Sequence, residues 1–168
     1  KYETYNFACS NIDTTSCFLI NEKSNISKIV EDTEQVIDGT KKIFVTTKKL
    51  DNILLKNENQ IDFLRMDLEG NELKVILGAK NIIKKFKPII QTEIHSKILG
   101  YSNTKALLEF FRDENYEITS FMLRELDEPQ IGSIKDLNEQ YKIQDLFLLL
   151  ESDSFPPYLQ LFFEPKTL

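Results

Sequence analysis

Asp67, Glu69, Glu93 and His95 are the residues of this sequence whose types and spacing could do chemistry. Asp67 and Glu69 fall near the end of Ile61-Asp-Phe-Leu-Arg-Met-Asp-Leu-Glu-Gly-Asn-Glu-Leu73, and Glu93 and His95 close Lys87-Pro-Ile-Ile-Gln-Thr-Glu-Ile-His95. Each run is largely apolar before its acids appear, and the first leads straight into a helical pattern. In an open α/β sheet, ligands gather at the carboxyl ends of the strands, so acids and an imidazole placed there read as a site. Such a set could accept a proton as a general base. It could also hold a divalent cation, but its spacing matches no dedicated metal motif. The chain has five glycines and no glycine-rich turn to cradle a nucleotide-like cofactor.

Each of these residues also has a plainer reading. Glu69 and Glu72 would complement the dipole of the helix they open. Glu93 would pair with Arg65 across the sheet, and a lone histidine is often incidental. Asp67 ends a buried strand, where an unpaired carboxylate is costly, so a specific partner or ligand is expected for it.

The elements that must position these groups alternate. Residues 5–10, 17–20 and 42–47 read as strands, with a polar surface loop from 21 to 40 and a short helix over 50–55. The spacing then predicts a strand at 61–66, a helix at 71–86 and a strand at 89–94 launched by Pro88. Ser102 or Asn103 would cap a helix carrying Leu107, Leu108, Phe110 and Phe111. Strands follow at 116–123 and 145–150, separated by a long acidic connection over 124–144. Strands alternating with helices imply an α/β fold with a mostly parallel sheet. The last two strands lack a helix between them and would pair antiparallel at an edge. Side chains alternate along a strand, so Asp67 and Glu69 share one side, as do Glu93 and His95. Parallel strands joined by a helix usually lie side by side, which brings all four groups to one sheet edge.

At 168 residues the chain is one domain's worth, long enough for a hydrophobic core. A net charge of −6 argues against nucleic acid or an anionic membrane as partner. No apolar run approaches the roughly 18 residues of a membrane span, and no signal peptide is visible. Cys9 and Cys17 are too few for a disulfide framework or a zinc site and read as reduced thiols of a cytoplasmic protein. The apolar, proline-broken ending, residues 151–168, reads as a tail packing back on a domain of residues 1–150, with a subunit contact in a homo-oligomer as the alternative.

Beyond these local signals, the sequence resembles the FkbM-type methyltransferase domain. The resemblance rests on Ala8-Cys-Ser-Asn11, Val45-Thr-Thr-Lys-Lys-Leu-Asp51, the Asp67-Leu-Glu-Gly-Asn-Glu72 segment, Gly78-Ala79 and Pro88-Ile-Ile-Gln-Thr-Glu-Ile-His95, in the family's order and spacing. It covers roughly residues 5 to 150. It implies a Rossmann-like three-layer sandwich that transfers a methyl group from S-adenosylmethionine, typically to a hydroxyl of a sugar or natural product. By matching position, Ser10 and Asn11 would lie near the adenine, with Asn11 standing where an acid is usual. Asp67 would sit beside the methionine end of the cofactor, and Glu69, Glu93 and His95 would line the crevice for a small-molecule or glycan acceptor. A sulfonium is already an activated methyl donor, so the protein's task is alignment and removal of the hydroxyl proton. His95 is the first choice of base, followed by Glu93 and Asp67.

One departure from the family pattern is large. The expected strand, its Asp-x-Gly-Ala/Gly-x-x-Gly turn and the next acid-ended strand do not occur before Ala8. In the family's sheet those two strands lie in the middle. The expectation is therefore that residues 1–168 are the C-terminal part of a longer polypeptide, with a domain completed by another chain or an altered sheet as alternatives. A competing function is a non-catalytic Rossmann-like scaffold that has lost cofactor binding.

Overall fold

The computed structural model describes residues 2–21, 28–30, 40–123 and 142–166. Most of the expected 21–40 loop, and residues 124–141 of the acidic connection, lie outside them. The described chain is a mixed α/β fold with two sheets and five helices.

The first sheet is built from β1 (Ala8–Cys9), β2 (Thr14–Asn21), β3 (Lys28–Val30) and β4 (Thr40–Lys48), in the order β1-β4-β2-β3. β2 runs antiparallel to β3 and β4, and β1 parallel to β4. The strand expected over 5–10 is thus confined to two residues. A short helix, α1 (Leu50–Asn57), follows β4 directly.

The second sheet holds β5 (Phe63–Met66), β6 (Ile89–Ile94), β7 (Tyr116–Leu123) and β8 (Leu159–Pro165), in the order β5-β6-β8-β7. β5 and β6 pair in parallel, with Arg65 opposite Gln91 and Met66 opposite Thr92. The alternation of strand and helix required this pairing, and it aligns the two carboxyl ends. β8 runs antiparallel to both β6 and β7. Among the described residues two strand pairings are therefore parallel and four antiparallel, which corrects the mostly parallel sheet expected. An antiparallel pair does close the edge, but its members are β7 and β8.

Three helical readings also change. Residues 145–150 are not a strand; they belong to α5 (Ile143–Glu151). Its buried Ile143, Leu146, Phe147 and Leu150 recur at helical spacing. A window opening at Asp145 leaves Ile143 out, and the stripe then looks like a continuous apolar run. The Asp145 carboxylate also accepts the Lys142 N–H at 2.8 Å, tying down the first turn.

The single helix expected over 71–86 is two, α2 (Glu72–Gly78) and α3 (Lys80–Phe86). The break has a cause on each side. A Cβ at Gly78 would lie 2.0 Å from the Ser10 carbonyl oxygen, so the end of α2 rests against the backbone leaving β1. On the other side the buried Asp51 carboxylate accepts the Asn81 and Ile82 N–H groups at 3.1 and 2.9 Å and the Asn81 amide at 2.9 Å. It acts as a cap on α3 supplied by a distant helix.

α4 (Ser96–Asp113) begins earlier than Ser102 or Asn103 would place it, with a kink at Gly100 (φ 74°). Asn103 does not cap; its side-chain amide donates to the Leu99 carbonyl at 2.9 Å, bridging the kink.

One continuous core runs through α2, α3, α4, α5 and the second sheet. Phe111 of α4 stacks on Phe163 of β8 with centroids 3.8 Å apart and meets Tyr116 edge-on. Each such buried apolar side chain contributes about 1.5–3 kcal/mol. The 151–168 segment is therefore partly built into the sheet, since β8 fills the place between β6 and β7. No helix of the described residues is long and apolar enough to cross a membrane.

Candidate functional site at the carboxyl edge of the second sheet

β5 and β6 deliver their carboxyl ends together, and the chain turns sharply after each. After β5, Glu69 and Gly70 both take positive φ, 49° and 91°. Gly70 has a second reason to be glycine: a Cβ there would lie 2.3 Å from the Ile98 side chain in the first turn of α4. This tight turn throws the chain into α2 so that its first residue, Glu72, looks back at the end of β6. After β6, His95 passes directly into α4, and its carbonyl accepts the Ile98 and Leu99 N–H groups, both at 2.9 Å.

The result is a buried pair. Glu72 Oε1 lies 2.6 Å from His95 Nδ1 and also accepts the Gly70 N–H at 3.1 Å. The side chain of Glu72 is wholly sealed, and that of His95 is only 3% exposed. Glu72 Oε2 is buried and has no hydrogen-bond partner among the described residues. The other imidazole nitrogen, Nε2, faces Glu69 Oε2 at 3.5 Å, and Glu69 reaches solvent. Tyr158, from the segment before β8, meets the His95 ring edge-on at 5.6 Å. The same segment is anchored where Ser96 Oγ donates to the Pro156 carbonyl at 2.8 Å.

Asp67 and Glu93 complete the cluster. Ligand-capable atoms of Asp67, Glu93 and His95 all lie within 4.8 Å of one another, close enough to share one cation. Glu93 is buried, while Asp67 is at the surface and 3.7 Å from the exposed Arg65 guanidinium. Arg65, which the sequence offers as a partner for Glu93, thus has its ion pair with Asp67.

The electrostatics follow from this crowding of carboxylates. Burial works against the charged form of His95, but the Glu72 hydrogen bond and the charges of Glu72, Glu69 and Glu93 outweigh it and raise its pKa. Glu69 is also raised, first by burial and then by Asp67, Glu93 and Glu72, with His95 pulling the other way. Four carboxyl groups crowd one imidazole, a set of oxygen and nitrogen donors that suits a cation.

The structure brings Asp67, Glu69, Glu93 and His95 together and leaves Ser10 and Asn11 apart from them. Ser10 is buried; its N–H donates to the Lys48 carbonyl at 3.0 Å and its hydroxyl to Asn11 Oδ1 at 3.3 Å. It abuts Gly78, the last residue of the seven-residue helix whose first is Glu72. The two regions therefore sit at opposite ends of α2, roughly 9 Å apart along its axis.

Glu72 is the site residue that sequence reasoning passes over, because a first-turn acid has an adequate explanation in the helix dipole. The available signal was its place behind a Glu-Gly turn and a residue count that sets it beside the end of the next strand. Tyr158 gives no such signal.

A family model described as the methyltransferase FkbM domain matches residues 1–118. Ser10, Asn11 and the whole acidic cluster fall inside the match, while Pro156, Tyr158 and β8 lie beyond it. No curated protein and no solved structure matches the chain.

Proposed function

The chain belongs to the FkbM methyltransferase family, and we propose that it takes part in methyl transfer from S-adenosylmethionine to a hydroxyl of a sugar or natural-product acceptor. The observation that carries this reading is the sealed Glu72–His95 pair at the joint carboxyl edge of β5 and β6, with Nε2 turned toward the acids there. That nitrogen is a base held where a hydroxyl proton would have to be taken.

The residues fit the cofactor by charge. The anionic cluster suits a donor with a sulfonium and an ammonium group, and Asp67 is the member exposed enough to meet its methionine end. Ser10 and Asn11 are assigned to the adenine on family resemblance, at the far end of α2. When bound, the cofactor would supply an electrophilic methyl group to the acceptor oxygen, its C–S electron pair staying with sulfur. The chain's own residues then have three tasks. Glu69, at the open rim, and Glu93 orient the acceptor hydroxyl, His95 Nε2 receives its proton, and Tyr158 shields the imidazole from water. His95 is preferred over Glu93 and Asp67 as base because Nε2 faces the rim and Nδ1 is already committed to Glu72.

The finer fold assignment is a Rossmann-like three-layer sandwich whose two central strands are not in this chain. Among the described residues, β1 and β5 each have one side without a strand neighbour, and these are the two edges the missing strands would join. In this reading the chain through β8 is the C-terminal portion of that domain, since β8 lies between β6 and β7, and it acts in the cytoplasm. A second reading, a divalent-cation site, is favoured by the close approach of Asp67, Glu93 and His95. A thermal shift with Mg²⁺ or Mn²⁺ that Asp67→Asn abolishes would support it. The scaffold alternative predicts neither cofactor nor cation binding.

Incubation of the full natural chain with methyl-labelled S-adenosylmethionine and a panel of hydroxyl-bearing sugars and natural products tests the main reading. Labelled methyl ether on at least one acceptor supports it. Cofactor binding with labelling confined to amine or carboxylate acceptors would overturn the O-methylation part.

A further inference from the structure

We propose that Glu72 is the positioning residue that fixes His95 as the Nδ1–H tautomer and so leaves Nε2 as its basic nitrogen. Glu72 Oε1 lies 2.6 Å from Nδ1, a distance that calls for a proton between them, and an ionised carboxylate can only accept. The Gly70 N–H, 3.1 Å from the same Oε1, keeps that oxygen aimed at the ring. Neither partner can relax into water, because Glu72 is wholly buried and His95 nearly so. Unconstrained histidine favours the opposite tautomer, with the proton on Nε2, so the pair reverses an intrinsic preference. Nε2 then faces Glu69, with Glu93 and Asp67 nearby.

In this account Glu72 touches no substrate. It acts through His95, as the orienting carboxylate does in nucleophile–base–acid triads. Its catalytic consequence rests on the methyltransferase reading, but the tautomer does not, and the two can fail separately.

The chain contains one histidine, so its imidazole nitrogens can be observed without ambiguity. Long-range ¹H–¹⁵N correlation spectra of the uniformly ¹⁵N-labelled natural protein, without cofactor and at a pH where the ring is neutral, report which nitrogen carries the proton. The expected spectrum has a protonated, pyrrole-like Nδ1 and an unprotonated, pyridine-like Nε2. Glu72→Gln should keep this pattern, because the Gly70 N–H holds a carbonyl oxygen where Oε1 stood. Glu72→Leu should lose it and return the ring toward the Nε2–H form. A wild-type ring found as Nε2–H, or a folded Glu72→Leu protein with an unchanged tautomer, would overturn the proposal. If Glu72→Leu does not fold, the wild-type spectrum alone still decides. Methyl-transfer kinetics then separate the consequences: Glu72→Gln should retain much of kcat, and Glu72→Leu should lose it with little change in KM for the donor. Loss of activity with the expected tautomer intact in both variants would contradict the positioning role.

Discussion

His95 Nε2 faces Glu69 Oε2 across 3.5 Å, and this contact joins a sealed imidazole to a carboxylate that reaches solvent. Glu69 owes its place to the positive-φ turn it shares with Gly70, and His95 owes its own to the first turn of α4. A base buried this deeply meets an acceptor only through the rim beside it. Substitutions at the two positions should therefore read out differently.

His95→Ala should lower kcat for methyl transfer by about 10²–10⁴, the usual worth of a positioned general base. Affinity for the cofactor should stay nearly unchanged, since the donor's methionine end is assigned to Asp67 and not to the imidazole. Kinetics paired with calorimetric titration checks this, and an equal loss of turnover and cofactor affinity would deny His95 its role.

The pH dependence has a fixed sign. His95 is raised above 6.5 in the folded protein, so its basic form appears only at higher pH, and kcat/KM should climb along a limb with its midpoint above 6.5. Stability should run the opposite way. A raised imidazole contributes fully below pH 6.5 and loses its contribution as pH rises through the folded value. Glu69, also raised, adds a loss of the same sign that begins near its ordinary 4.5. Melting profiles between mildly acidic and alkaline pH, compared with His95→Ala, isolate the histidine's part. A midpoint below 6.5, or wild type gaining stability over the variant with rising pH, would contradict this.

Gly70→Ala should damage fold and site together. The new residue must hold φ 91°, where an L side chain is strained by about 1–2 kcal/mol, and its Cβ would strike Ile98. Relief requires moving the turn that carries both Glu69 and the N–H bonded to Glu72. Denaturant unfolding and activity should fall in parallel, and wild-type activity in a stable Gly70→Ala protein would show that the turn does not set the site.

Asp51→Ala should be costly for stability alone. It strands the Asn81 and Ile82 N–H groups at the start of α3, a loss of about 1–3 kcal/mol. The His95 resonances of the folded variant should not move, because neither α1 nor α3 contributes a residue to the site. A folded variant with shifted His95 resonances would show coupling that this account lacks.

Much of the candidate site is legible in the sequence, because its geometry depends on two robust regularities. The two-residue period of strands put Asp67 with Glu69 and Glu93 with His95, and the strand–helix–strand connection aligned β5 with β6. Glu72 was legible only as a first-turn acid, since its partner comes from 23 residues away. The end of the chain misled for a different reason. Leu159, Leu161 and Phe163 alternate as a buried strand should, but Pro156 and Pro157 directly before them suggest a broken tail. The helical stripe of α5 was equally present and was hidden by where the window began. The break at Ala79 was beyond local reading, because its causes, Ser10 and Asp51, are supplied by distant parts of the chain.

The central claim is that the acidic edge of β5 and β6 serves a sulfonium methyl donor, and calorimetric titration of S-adenosylmethionine into the full natural chain tests it most directly. Saturable binding at one site per chain is expected, weakened in Asp67→Asn and preserved in His95→Ala. No binding to the folded natural protein, or affinity that is indifferent to Asp67, would contradict it.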